Sequence, residues 1–165
     1  MSKKKKDKNT KPDLNKGERP ISENRQARHK YEILEQIECG IVLRGSEVKS
    51  MRDGKVSIQE AYGRIKKGEL WLLGCDIPEF KNATIWNHEP RRERKLLVQQ
   101  RQLQKLIGRA NEKGQTLVPL KLYFNDRGIA KLLLGVCRGK KVHDKRESIK
   151  KKDTERRIER NMRRR

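Results

Sequence analysis

Cysteine is scarce and scattered: Cys39, Cys75 and Cys137 are the only three. An odd count at wide spacing suits neither a disulfide framework nor a zinc set. It reads as reduced thiols, small apolar residues within strands. Histidine is as thin. His29, His88 and His143 lie far apart and form no HExxH or HxxxH pair, so neither a metal nor any other cofactor is expected. No apolar run approaches the roughly 20 residues that span a bilayer. The opening MSKKKKDKNTKP has basic residues but no apolar segment, so it is not expected to be a secretory signal, and the expected location is the cytoplasm. Neither charged end carries an aromatic or leucine face that would anchor it on anionic lipid, so no membrane partner is expected. Apolar residues make up 32% of the chain against 40% charged, a poor ratio for a sequence that folds throughout.

What is abundant is positive charge. Lys and Arg number 44 against 22 Asp and Glu, a formal net charge of +22 on 165 residues. Charge of that size implies a polyanionic partner, because neutralising phosphates releases condensed counterions. The charge sits at the ends. Residues 1–19 carry a net +5 and residues 138–165 a net +9, leaving the middle only mildly basic and long enough to bury one core. Three parts follow: a basic disordered leader (1–20), a folded domain (21–137) and a basic C-terminal tail (138–165).

Within the folded part, residues 30–43 (KYEILEQIECGIVL) alternate. Tyr31, Ile33, Ile37, Cys39, Ile41 and Leu43 share one face of a half-buried strand, with Gly40 allowing a bulge or bend. Ser46 before EVKSMRDG predicts a capped helix of about two turns. Two strands, 61–65 and 69–74, flank Lys67-Gly68 as a hairpin. Residues 78–90 read as a loop with a short strand. Leu96, Leu97 and Val98 fit either a brief strand or a first helical turn. Leu103, Leu106, Ile107 and Ala110 have helical spacing, with Gly114 as a stop. Strands 116–124 and 129–137 are joined by NDRG, a good turn sequence, and Pro119 calls for an edge or a bulge. About six strands with one main helix predict an all-β fold with short helices, an OB-like antiparallel β-barrel.

No catalytic set emerges. The stretch from Gly135 through Gly139 to Lys140 and Lys141 is one residue short of a phosphate-loop spacing and lacks the Ser or Thr that would hold Mg²⁺. His143 beside Asp144 is a local doublet without a nucleophile, so an RNA-cleaving enzyme is a weak reading and no enzyme is expected. Three features point instead to RNA. Residues 24–31 (NRQARHKY) combine cations, planar donors and an aromatic, with Asn24, Arg28 and His29 as candidates. Arg91, Arg92, Arg94 and Lys95 form a dense basic cluster. The tail places Glu147, Asp153 and Glu159 each four residues before a base, an order that supports a helix once a polyanion screens its charge. The tail is therefore expected to be disordered when free and helical when bound.

Several segments resemble the SsrA-binding protein (SmpB) family: NRQARHKYEILE, GIVLRGSEVKSMRDGK, EPRRERKLL, GQTLVPLKLYF and GVCRGKKVHDKRE, in order and from Asn24 to about Arg157. The resemblance implies an OB-like barrel that binds the tRNA-like part of transfer-messenger RNA (SsrA RNA) and delivers it to stalled bacterial ribosomes, with elongation factor Tu an indirect partner. It implies that Asn24 and Glu38 lie on the RNA-binding face, and that Val98 stands where the family more often has Leu. It further implies that Gly139, Lys140, Lys141, His143, Asp144, Lys145 and Arg146 form the tail motif read in the small-subunit decoding site. There His143 would stack on or hydrogen-bond to ribosomal RNA bases, and the cations would hold phosphates. The longer Lys-rich leader and the run Arg163, Arg164, Arg165 depart from the family. The other reading open to the sequence is a different non-catalytic OB-fold factor that binds ribosomal RNA.

Overall fold

The computed structural model describes residues 19–54, 56–83, 87–110, 114–140 and 154. Seven strands and three helices follow in the order β1 (Arg19–Glu23), α1 (Ala27–Lys30), β2 (Tyr31–Ile41), α2 (Gly45–Arg52), β3 (Tyr62–Lys66), β4 (Glu69–Leu73), β5 (Arg94–Leu97), α3 (Gln100–Ala110), β6 (Gln115–Phe124) and β7 (Ala130–Gly139). All pairings are antiparallel. The strands run β6-β3-β4-β5-β2-β7 and back to β6, a closed six-stranded barrel, with β1 added on β6. Strand β6 serves three neighbours because it is long. One edge pairs with β7 throughout, while the other meets β3 at Leu117 and β1 at residues 121–124. The expected OB-like antiparallel barrel with short helices is the observed architecture. The expectations for the leader up to residue 18 and for the tail beyond Lys140 lie outside the described residues, Thr154 apart.

The barrel closes at one pair, Gly63 opposite Leu117. A β-carbon on residue 63 would stand 2.8 Å from the Leu117 Cβ, so only glycine lets these strands meet. Inside lie Ile37, Cys39, Leu70, Leu72, Leu96, Leu117, Leu122, Leu132, Leu134 and Val136. Helix α3 adds Leu103 and Leu106 at three-residue spacing, and α2 adds Met51. Cys39, Cys75 and Cys137 are free and buried; burial pushes their thiols up to about 12, 11 and 11, which leaves them inert packing groups at neutral pH.

Strand β2 alternates as expected, but its apolar residues do not share one face. The register slips at Leu34, not at Gly40: Ile33 pairs with Cys137, whereas Glu35 pairs with Val136. This bulge turns Ile37 and Cys39 into the barrel. Tyr31 and Ile33 stay outside, in a second cluster with Ala27, Val118, Leu120 and Cys137. Gly40 has another role, since a β-carbon there would lie 3.3 Å from the Leu97 Cβ. Pro119 does sit at a bulge, with the β6–β7 register slipping between Pro119 and Lys121.

Helix α2 starts one residue before Ser46, so Ser46 is not its cap. Arg44 precedes the helix, and its backbone N–H donates to Glu47 Oε2 at 2.6 Å, the reach-back half of a capping box. Residues 94–97 are a strand, which settles the ambiguity at Leu96. Among the described residues of the stretch 78–90 there is no strand. The hairpin turn at Lys67 and Gly68 has φ of 50° and 74°, the left-handed pair of a type I′ connection. In the NDRG turn, Asn125 Oδ1 accepts from the N–H groups of Arg127 at 3.1 Å and Ile129 at 2.8 Å.

Candidate RNA-binding surface

Register places the outward residues of five neighbouring strands in rows. One row runs Glu23 (β1), Lys121 (β6), Leu133 (β7), Glu38 (β2). The next runs Pro20, Tyr123, Lys131, Gly40 and on to Leu97 of β5. Glu38 ends the first row and reaches across to the second. Its Oε2 accepts the Tyr123 hydroxyl at 2.6 Å and its Oε1 the Lys131 ammonium at 2.9 Å. The Tyr123 hydrogen bond, then the Lys131 bond and charge, hold the Glu38 carboxyl below the ordinary carboxylate value in spite of partial burial. The Lys121 ammonium lies 5.0 Å from the centre of the Tyr123 ring. Lys121 and Lys131 thus lie on the same side of the sheet as Glu38, with Tyr123 buried beside them. The period-two pattern of the two predicted C-terminal strands carried that signal, since Lys121, Tyr123 and Lys131 alternate with the inward Leu122, Phe124 and Leu132.

Asn24 is buried. Its backbone N–H donates to the Leu120 carbonyl at 2.9 Å, and its side-chain oxygen accepts the Ala27 N–H at 3.1 Å, so it fixes the entry to α1. It also lines a cleft of about 390 Å³ with Gln26, Lys30, Tyr31 and Tyr62. Helix α1 presents Arg28, His29 and Lys30 to solvent. The tail leaves the barrel beside them: Gly139 pairs with Tyr31, Lys140 N–H donates to the Lys30 carbonyl at 3.1 Å, and Lys140 Nζ donates to the Arg28 carbonyl at 3.0 Å. The structure therefore brings Arg28 and His29 together with Gly139 and Lys140. Lys141, His143, Asp144, Lys145 and Arg146 lie outside the described residues.

The basic cluster divides. Arg94 is fully buried and donates to Glu47 Oε1 at 2.9 Å and to the carbonyls of Cys75, Pro90 and Arg92 at 2.7, 2.9 and 3.0 Å. Arg92 donates to Glu47 Oε1 at 2.8 Å and Oε2 at 2.5 Å, and to the Val42 carbonyl at 3.2 Å. These two guanidinium groups tie the 75–94 segment to α2 and have little left for a phosphate. Arg91 is exposed, 3.3 Å from Asp76, and Lys95 lies 2.5 Å from Glu69. Such partly exposed pairs are weak enough for a polyanion to exchange. Val98 packs half-buried on the main core, while its neighbour Leu97 is 52% exposed at the end of the Tyr123–Lys131 row. Close by, His88 is buried, its Nε2 at 2.9 Å from the Ile77 carbonyl and its Nδ1 at 3.0 Å from Ser46 Oγ. The carbonyl can only accept, so Nε2 carries a proton. Among the described residues no group of three or more His, Cys, Asp or Glu is placed to hold a metal, and no helix is long and apolar enough to cross a membrane.

The chain is similar to known proteins over most of its length. The family described as SmpB protein matches residues 21–164. An SsrA-binding protein of Rhodopirellula baltica is 56% identical over 145 residues, covering 88% of this chain and 82% of that relative. One from Nitrobacter hamburgensis is 56% identical over 133 residues, covering 81% and 85%. A solved chain from the structure "tmRNA-SmpB: a journey to the center of the bacterial ribosome" superposes with a TM-score of 0.64 at 50% identity, covering 79% of this chain and 94% of that one. Barrel and tail sequence are matched together, and the chain belongs to the SmpB family.

Proposed function

We propose that this protein binds the tRNA-like part of transfer-messenger RNA with the outer barrel face around Glu38 and carries it to ribosomes stalled in the bacterial cytoplasm. The observation that carries this reading is the family match, which runs through both the Glu38 face and the tail. On the barrel, Lys121, Lys131, Lys95 and Arg91 attract phosphate. Leu97 gives apolar surface for a ribose or base, and Glu38, itself held by the hydroxyl of the buried Tyr123, positions Lys131. Asn24 acts by fixing α1, so that Arg28 and His29 stand at the rim; Val98 supports Leu97 from beneath. The tail begins beside that rim, at Gly139 and Lys140. It is the second reader: His143 contacts bases of the decoding site, Lys141, Lys145 and Arg146 hold ribosomal RNA phosphates, and Asp144 favours the helical form. Elongation factor Tu joins through the RNA. The protein works by binding and not by catalysis.

The two readers are separable by experiment. His143→Ala and a combined Lys141→Ala, Lys145→Ala, Arg146→Ala variant are expected to bind the isolated tRNA-like RNA as the wild type does. In a reconstituted translation system with stalled ribosomes, they are expected to lower tagging of the unfinished chain at least about tenfold, the loss of roughly 1.4 kcal/mol of contact. Equal tagging by wild type and both variants would remove the tail from the mechanism.

A further inference from the structure

A second positively charged site lies at the end of the barrel. A cleft of about 730 Å³ opens between the start of β1, the C-terminal end of α2 and the β6–β7 turn. Arg19, Arg52 and Arg127 stand around it, one from each element, over a floor that includes Met51 and Phe124. All three arginines are exposed, whereas Met51 and Phe124 are buried.

Their charge is not spent on any carboxylate among the described residues. Arg91, Arg92, Arg94, Arg109, Lys66, Lys95 and Lys131 each have a carboxylate partner. Among the described residues, Arg19, Arg52 and Arg127 have none. Asp126 shares the rim but forms no ion pair with them. Helix α2 turns its C-terminus towards the cleft, which disfavours an anion, so the attraction must come from the guanidinium groups themselves. Three such groups converging on a concave, partly apolar site focus positive potential and match the forked geometry of phosphate oxygens. The site is also continuous with the Glu38 face, since Arg19 pairs with Phe124, and Pro20 with Tyr123 in the row that contains Lys131.

We propose that this cleft binds the phosphodiester backbone of RNA, extending the barrel face so that the bound RNA is held from Glu38 round to the β6–β7 turn. The direction of the extension rests on the function proposed above; the phosphate chemistry of the cleft does not.

The test is the salt dependence of RNA binding by the full chain and by an Arg19→Ala, Arg52→Ala, Arg127→Ala variant. Two probes are used: the tRNA-like part of transfer-messenger RNA and an unrelated RNA hairpin. Loss of three phosphate contacts is expected to lower the slope of log K against log salt by about 2. The matching triple lysine variant is expected to recover most of it. Thermal melting is expected to change little, because among the described residues the three side chains hold no ion pair and only Arg52, in the last turn of α2, favours its helix. Coincident slopes for wild type and alanine variant on both RNAs would overturn the cleft. A slope change on the hairpin alone would keep the phosphate site and overturn the extension. Wild-type binding with no preference for the tRNA-like RNA would count against the proposed function instead, and the slope difference would still judge the cleft.

Discussion

Replacing Glu47 by alanine is expected to lower folding stability by about 3–5 kcal/mol, the usual penalty for leaving a buried charge without its partner. The Glu47 carboxylate is fully buried, and both of its oxygens are used. Arg94 and Arg92 share Oε1, while Arg92 and the Arg44 N–H share Oε2. Without it the Arg94 guanidinium keeps its three carbonyl partners but loses its counter-charge in a site closed to water. The change also removes the cap of α2. The effect should show as a lower urea midpoint with little change in slope. It carries a pH signature as well. Burial alone raises the Glu47 pKa, but the hydrogen bond from Arg92, the Arg44 N–H and the charges of Arg94 and Arg92 outweigh that and hold it below the ordinary 4.5. A depressed carboxyl contributes stability that is fully present above its unfolded value and lost as pH falls through its native one. The wild type is therefore expected to lose stability on acidification below about pH 4.5, and Glu47→Gln to lose less over the same range. A Glu47→Gln protein as stable as wild type at pH 7 would show that the ion pairs do not hold this corner of the barrel.

The second large effect is expected at Glu38. On a face proposed to meet phosphate, a carboxylate is a liability unless it organises cations and donors. Here it holds the Tyr123 hydroxyl and the Lys131 ammonium at once. Glu38→Ala is expected to weaken binding of the tRNA-like RNA at least about tenfold, or ~1.4 kcal/mol. Lys131→Ala is expected to do the same and also to lower the salt slope by nearly one, whereas Tyr123→Phe should weaken affinity without touching the slope. Because Glu38 titrates below the ordinary carboxylate value, its contribution should not vary between pH 5 and pH 8. Unchanged affinity in Glu38→Ala, measured by titration calorimetry, would move the RNA off this face.

The residues that were legible in advance are those whose physics is local. The alternation of β2, the helical spacing of Leu103 and Leu106 and the Asn125 turn could all be read from neighbours in sequence. Strand β1 could not. RPISE has no period-two pattern, and its register breaks between Pro20 and Ser22 on an edge of β6 that only the folded barrel offers. The Leu34 bulge was equally hidden, because Tyr31, Ile33 and Ile37 have the same spacing whether or not the strand changes face midway. Arg92 and Arg94 looked like free cations for the same reason: their partner Glu47 lies 45 and 47 positions away. Glu38 and its partner Tyr123 are 85 residues apart, so the resemblance gave the carboxylate but not what surrounds it. At Val98 the matched position proved half-buried, with Leu97 turned outward by the pleat of β5.

The described strands run past the expected border at residue 137. Strand β7 runs to Gly139, and Lys140 is bonded to α1 through both its N–H and its ammonium. A cut after Cys137 would strip pairing from Tyr31, Glu32 and Gln115, whereas a cut after Lys140 spares all the described pairing. The most direct test of the division of labour is the affinity of residues 1–140 for the isolated tRNA-like part of transfer-messenger RNA, beside that of the full chain, at a fixed salt concentration near physiological. The account predicts that the shortened protein keeps that affinity within a few-fold and still prefers the tRNA-like RNA over an unrelated hairpin. A folded 1–140 protein that has lost the preference would contradict it, because recognition would then reside in the tail.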